Sequence, residues 1–195
     1  MNNCYLDAEA VITFFRMTGR KHIFITGSRG SGKSHLVNNM LKHMSDSFNL
    51  LQSHRTDTPQ VVIKSNLVAD NKEFVIGVPR TSGINPASKG NNMTIIEDGF
   101  INCAIPAIDT HLDTTPERLF VIDELGYLES SCIPFQKAVE KLLDNSHVLA
   151  VIRKQSTEFL NRIYNRKDVL VIDIDSTFET VSYTHLRAHE TPEHL

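Results

Sequence analysis

The sequence has only three cysteines, Cys4, Cys103 and Cys132, too few and too scattered for a disulfide framework or a zinc site, so reduced thiols are expected. It also lacks any apolar stretch longer than a strand, and its start does not read as a secretory signal. Those absences exclude a membrane span from the reading and make a cytoplasmic location the expectation. The formal net charge is only −3, which leaves no electrostatic footprint for nucleic acid. Nucleic acid and membrane are therefore not expected as partners, and no protein partner can be named. The nine histidines form no H-E-x-x-H arrangement, and His35 and His147 are expected to be partly buried structural residues. Internal repeats and low-complexity tracts are missing as well.

What is present is an ordinary globular composition, 41% hydrophobic and 22% charged over 195 residues, enough for one substantial core. One run stands out within it. Gly27-Ser28-Arg29-Gly30-Ser31-Gly32-Lys33-Ser34 fits the phosphate-loop pattern G-x-x-x-x-G-K-[ST]. It follows the β-branched run His22 to Thr26 and precedes Leu36, Val37, Met40, Leu41 and Met44 at helical spacing, so a strand enters a glycine turn that opens a helix. Glycines let consecutive N–H groups point inward at phosphate oxygens, and the helix adds its positive N-terminal end. Gly27, Gly30, Ser31, Gly32, Lys33, Ser34 and His35 are the candidate nucleotide-binding residues. Lys33 would bridge the β- and γ-phosphates, and the Ser34 hydroxyl would be a ligand of Mg²⁺. Arg29 is expected to be solvated.

A phosphate-loop hydrolase also needs a carboxylate for the metal's shell and a group to orient water, both at the end of a strand beside the loop. Arg118 to Glu124, RLFVIDE, supplies them. Four apolar residues read as a buried parallel strand that delivers Asp123 as the metal-shell carboxylate and Glu124 as the candidate base. Lys33 and Glu124 are thus the candidate catalytic pair. Arg80, Arg153 and Arg162 are candidates for stabilising the leaving-group charge, Arg153 first because it directly follows a strand.

The remaining pattern is that of an open α/β sheet. Asp7 to Met17 reads as an amphipathic helix ended by Gly19; Gln60 to Lys64 and Glu73 to Val78 read as two strands, a hairpin or insertion at the sheet edge. Pro79 to Asn92, rich in Pro, Gly, Ser and Asn, is a loop, either a lid or a plain surface connection. Met93 to Glu97 is expected as a short strand and Ile101 to Thr110 as a short helix interrupted at its start by Pro106. Beyond Glu124, a helix opens at Pro134 with the stripe Phe135, Ala138, Val139, Leu142 and Leu143. Strand His147 to Ile152, helix Ser156 to Tyr164 and strand Asp168 to Ile174 follow. Strand and helix alternation of this kind implies parallel crossovers. From Val181 to Thr191, VSYTHLRAHET resembles a translated sequencing-library adapter, so the expectation is one domain over residues 1–180 and a non-native tail over 181–195.

Three blocks, HIFITGSRGSGKSHL, LFVIDELGYLESSCIPFQKAVEKLL and HVLAVIRKQSTEFLNRIYNRKDVLVIDI, resemble the THEP-type nucleoside-triphosphatases. The most specific part is Asp123-Glu124-Leu125-Gly126 with Glu129, a serine at 130 or 131 and Phe135. The resemblance implies a phosphate-loop three-layer α/β sandwich, a mostly parallel central sheet with helices on both faces. It also implies Mg²⁺-dependent hydrolysis of ATP, GTP and other nucleoside triphosphates to diphosphate and phosphate with little base selectivity. The chain departs from the family at His35, in the arginine-bearing segment sought between Asp46 and Asn92, and after Asp175. A small-molecule or nucleotide kinase and a nucleotide-dependent switch would use the same motifs.

Overall fold

In the computed structural model, residues 6–44, 47–80 and 93–176 are described. The tail from Val181 and nearly all of the loop expected at Pro79 to Asn92 lie outside those residues. Pro79 itself closes a strand, and Arg80 follows it at the surface.

The elements run α1 (Ala8–Thr18), β1 (His22–Thr26), α2 (Lys33–Met44), β2 (Phe48–Arg55), β3 (Val61–Ser65), β4 (Phe74–Pro79) and β5 (Met93–Ile95). Then come α3 (Glu97–Gly99), α4 (Ile105–Thr114), β6 (Leu119–Leu125), α5 (Ile133–Asn145), β7 (His147–Ile152), α6 (Glu158–Tyr164) and β8 (Val169–Asp173). The eight strands among the described residues form one sheet in the order β5-β4-β3-β2-β6-β7-β1-β8. The five strands from β2 to β8 are parallel, and β3, β4 and β5 continue the sheet antiparallel at one side. The β3 and β4 pair is the expected hairpin, with β5 outside it.

Alternation along the central strands sorts their side chains between two layers. Ile23 and Ile25 of β1, Val121 of β6 and Leu149 and Val151 of β7 pack with α1 and α2 on one face. Phe24, Phe120, Ile122, Ala150 and Ile152 point the other way, into the core closed by α4, α5 and α6. The three-layer α/β sandwich is therefore present. Helix α1 finds its seat against α2 through Val11 and Ile12, while Met17 stays outside at 81% exposure. Asp7 caps its start by accepting from the Glu9 and Ala10 amides, and Gly19 ends it at φ 65°.

Two elements differ from the sequence reading. Pro106 does not interrupt its helix. A five-residue π segment, Phe100–Ala104, runs directly into α4, the Ile105 amide bonds to the Phe100 carbonyl, and Pro106 falls in the first turn of α4. There the repaired backbone asks for no N–H from it. The second is β2, which the periodicity did not single out because its polar second half, Gln52 to Arg55, hides a strand paired with β6.

Candidate functional site

Parallel pairing brings the carboxyl ends of β1, β2, β6, β7 and β8 to the same edge of the sheet, the edge at which open α/β sheets place ligands. A cavity of about 830 Å³ opens there. Its floor is the phosphate loop, with positive φ at Gly27, Gly30 and Gly32, and α2 begins at Lys33 with no acidic residue in its first turn. Gly27, Gly30, Gly32, Lys33, Ser34 and His35 all line it. Ser31 does not; its hydroxyl turns back to the Ser28 carbonyl at 2.7 Å. Lys33 Nζ donates to the Gly27 and Ser28 carbonyls at 2.9 and 2.8 Å, held over the loop it serves.

Glu124 lines the same cavity from the end of β6. The acidic strand ends beside the loop's cavity without neighbouring the loop strand, because β7 lies between β1 and β6. That intervening strand delivers Arg153, whose Nε donates to Glu124 Oε1 at 2.7 Å. Gly126 makes the contact sterically possible, since a Cβ there would sit 2.9 Å from Arg153 Cδ. Behind it, the buried Glu129 accepts from the Gly126 amide at 2.9 Å and from Ser53 Oγ at 3.3 Å. Burial pushes the Glu129 carboxyl above its ordinary range, against the hydrogen bonds it receives. Ser130 Oγ ties to the Gly126 carbonyl at 2.6 Å, and Phe135 packs in the core against Phe100. The residues that made the second block distinctive thus shape the turn under Glu124 and Arg153.

Asp123 is half-buried and is not on the cavity wall. Its carboxyl is raised first by burial and then by the Glu124 charge, opposed by a hydrogen bond from Gln52 and by Lys33. An ionised Asp123 in that position is short of positive charge, which a divalent cation would supply. Ser34 and Asp123 are both hard oxygen donors, the type Mg²⁺ selects, and Mg²⁺ bound to phosphates needs only one or two protein ligands. Among the described residues no group of three or more His, Cys, Asp or Glu could hold a metal by itself. The residues therefore fit a metal shared with a phosphate chain.

Of the other arginines, Arg162 is engaged with Glu140, Glu158 and Gln136 on α5 and α6, and Arg80 lines neither cavity that Glu124 borders. Sequence reasoning missed Ser53, His54 and Arg55 at the end of β2, and Lys154 and Gln155 after β7, all of which line the cavity. The signal for the first three was Phe48, Leu50 and Leu51, a short and mostly apolar segment following the loop helix. The histidines also differ from expectation. His35 and His147 are exposed, His35 on the cavity side of α2 and His147 at the start of β7, whereas His22 and His111 are fully buried. Cys103 and Cys132 are free and buried, and burial pushes the Cys103 thiol up to about 11.

A glycine loop between strand and helix, an acidic strand end across one intervening strand and a cation-rich cavity define a phosphate-loop nucleotide-binding protein. The family model described as NTPase matches residues 22–179, and the chain belongs to that family, the THEP1-type nucleoside-triphosphatases. Nucleoside-triphosphatase THEP1 of Thermotoga sp. strain RQ2 is 26% identical over 155 residues, 78% of this chain and 86% of that protein. That of Thermotoga maritima is 23% identical over 154 residues, with the same coverage. The crystal structure of THEP1 from Aquifex aeolicus has a TM-score of 0.62 at 17% identity, covering 87% of this chain and 99% of that one. The solution structure of a human cancer-related nucleoside triphosphatase has a TM-score of 0.58 at 19% identity, covering 89% and 100%. Both likenesses are of fold. No helix among the described residues is long and apolar enough to cross a membrane.

Proposed function

We propose that the protein hydrolyses nucleoside triphosphates, ATP and GTP among them, to diphosphate and phosphate in a Mg²⁺-dependent reaction with little base selectivity. The observation that carries this is the single cavity shared by the Lys33 loop and the Arg153-oriented carboxylate of Glu124. Beside Glu124, Gln155 and two histidines, its wall is glycine, serine, lysine and arginine, groups suited to phosphates rather than to a base. Loop amides and Lys33 hold the β- and γ-phosphate oxygens, Lys33 exchanging the loop carbonyls for them on binding.

Glu124 then accepts the proton of a water aligned with the γ-phosphorus. The new P–O bond forms as the bond to the β–γ bridging oxygen breaks, and NDP leaves with that electron pair. Arg153 fixes one carboxylate oxygen, leaving the other for water, in the way a third group orients a base in nucleophilic sites. Its terminal nitrogens remain to share charge on the transferred phosphoryl group. Ser34 and Asp123 would hold Mg²⁺, which when bound screens the β- and γ-oxygens.

The test is phosphate release from ATP, GTP, CTP and UTP with Mg²⁺, comparing the parent with Lys33→Ala and Glu124→Gln. Comparable release from all four, lost in both variants, is expected; release unaffected by Glu124→Gln would remove Glu124 from the mechanism. A second cavity of about 380 Å³ adjoins the first across Glu124 and Arg153, and favours one other reading, phosphoryl transfer to an acceptor. Product formation that depends on an added acceptor would distinguish it.

A further inference from the structure

The phosphate loop is also held from outside. Asp175 lies just beyond β8, and its Oδ2 accepts from the Ser28 amide at 2.7 Å and from the Ser28 hydroxyl at 2.6 Å. Lys154 Nζ, leaving β7, reaches that oxygen at 3.2 Å and Asp173 at 2.8 Å. On its other side Ser28 offers its carbonyl to Ser31 Oγ and to Lys33 Nζ. Ser28 is therefore a junction, with its amide and hydroxyl fastened to the exit of β8 and its carbonyl fastened to the lysine of the motif. The approach is close: a Cβ on Gly27 would fall 2.7 Å from Ile174 Cγ1 and 3.2 Å from Asp175 Oδ1.

A carboxylate beside an anion-binding loop opposes the anion by simple Coulomb repulsion. Yet this one is held ionised. The Ser28 hydroxyl first, and Lys154 after it, keep the Asp175 carboxyl below its usual range against the opposing effect of burial. A glycine-rich loop, by contrast, has more conformational freedom to lose than any other segment. Fastening it in advance lowers the cost of closing it around phosphates.

We propose that Asp175 is a positioning residue for nucleotide binding, fixing Ser28 and through it the amides and the lysine that receive the phosphates. The inference rests on the nucleotide-binding reading of the cavity and goes beyond it, because nothing in the phosphate-loop motif specifies a partner at the end of β8. The two alternatives for Asp175 have opposite signs. As a mere neighbouring charge, its removal should tighten nucleotide binding; as a fastener, its removal should weaken it.

The experiment measures the Kd of a fluorescent ADP analogue with Mg²⁺, together with KM and kcat for ATP, in Asp175→Ala, Asp175→Asn, Ser28→Ala and the Asp175→Ala/Ser28→Ala pair. In Asp175→Ala, Kd and KM should rise about tenfold, the size of one charge-assisted hydrogen bond, with kcat within about twofold of the parent. Asp175→Asn should fall between, since its amide oxygen still accepts from Ser28, and it decides the matter if the alanine variant folds poorly. The pair should bind no more weakly than Asp175→Ala alone. Unchanged or tighter binding in Asp175→Ala and Asp175→Asn overturns the inference. If Lys33→Ala also binds the analogue as the parent does, the nucleotide reading itself falls; if Lys33→Ala weakens binding and the Asp175 variants do not, only the role of Asp175 does.

Discussion

The two ends of the sheet treat their polar groups in opposite ways. At the amino-terminal end, His111 Nδ1 accepts from Asn49 Nδ2 at 2.8 Å, Asn49 also donates to Thr115 Oγ1 at 2.8 Å, and His111 Nε2 meets Ser146 Oγ at 2.6 Å. Ser146 in turn donates to the Pro116 carbonyl at 2.8 Å. That network closes on itself, and Asn49, His111 and Ser146 are buried. At the carboxyl-terminal end, the loop, Arg55, Arg153 and Lys154 face an open cavity. Polar groups satisfied among themselves serve stability, whereas groups held in place but open to solvent are available to a ligand. On the proposed reading, enzymatic work belongs to the open end, and changes at the closed end should alter stability alone.

The largest effect that tests this division is at the open end. Glu124→Gln should lower kcat by about 100-fold or more while leaving the Kd for Mg·ADP and the urea midpoint near parental values. Equal loss of binding would mean that the carboxylate holds nucleotide instead of water. At the closed end, Asn49→Ala strands His111 Nδ1 and Thr115 Oγ1 and should cost about 2 kcal/mol in urea unfolding with turnover retained. A turnover defect matching Glu124→Gln would collapse the distinction between the ends.

An effect of similar size, seen only as a pH dependence, belongs to His22, also at the closed end. Its ring nitrogens have no hydrogen bond, Asp168 Oδ2 lies 3.5 Å from Nε2, and burial lowers its pKa from 6.5 to about 4. Because the unfolded chain takes up this proton first, the contribution to stability is full above about pH 6.5, declines as pH falls and levels off below about 4. Between pH 7 and 5 the parent should lose about 2 kcal/mol more than His22→Leu in paired urea titrations. Parallel pH profiles for the two proteins would remove His22 as the source. The smallest effect is Lys141→Ala, which breaks an exposed pair with Asp109; urea midpoint and turnover should both stay put.

The sequence was legible where one physical signal dominated. β1, the glycine loop and α2 are a strand, a set of left-handed positions and a helical stripe in succession, and β6 is apolar enough to be read as buried on both faces. Its two acidic residues could be placed at the strand end, but strand order could not, so β7 between the motifs came from the structure. β2 was hidden because half of it is polar for the sake of the cavity, where Ser53, His54 and Arg55 are needed. Burial of His22 and His111 follows from long-range packing that local pattern does not encode, and α4 escaped interruption through a π segment with no sequence signature. Arg153 was a candidate by position alone. Its pairing with Glu124, and the contact of Asp175 with a loop 147 residues away, depend on which strands neighbour β1.

Neighbouring strands of a sheet are spaced about 4.8 Å apart, so β7 separates the axes of β1 and β6 by about 10 Å. Strand order thereby works as a ruler. Side by side, the lysine strand and the carboxylate strand would leave little room between them; with one strand interposed, the gap can admit a terminal phosphate and the water in line with it. The spacer's own last residues fall in the middle of that gap, where Arg153 holds the Glu124 carboxylate and Lys154 reaches the Asp175 that fastens the loop, so a single sequence change there would be felt by both motifs at once.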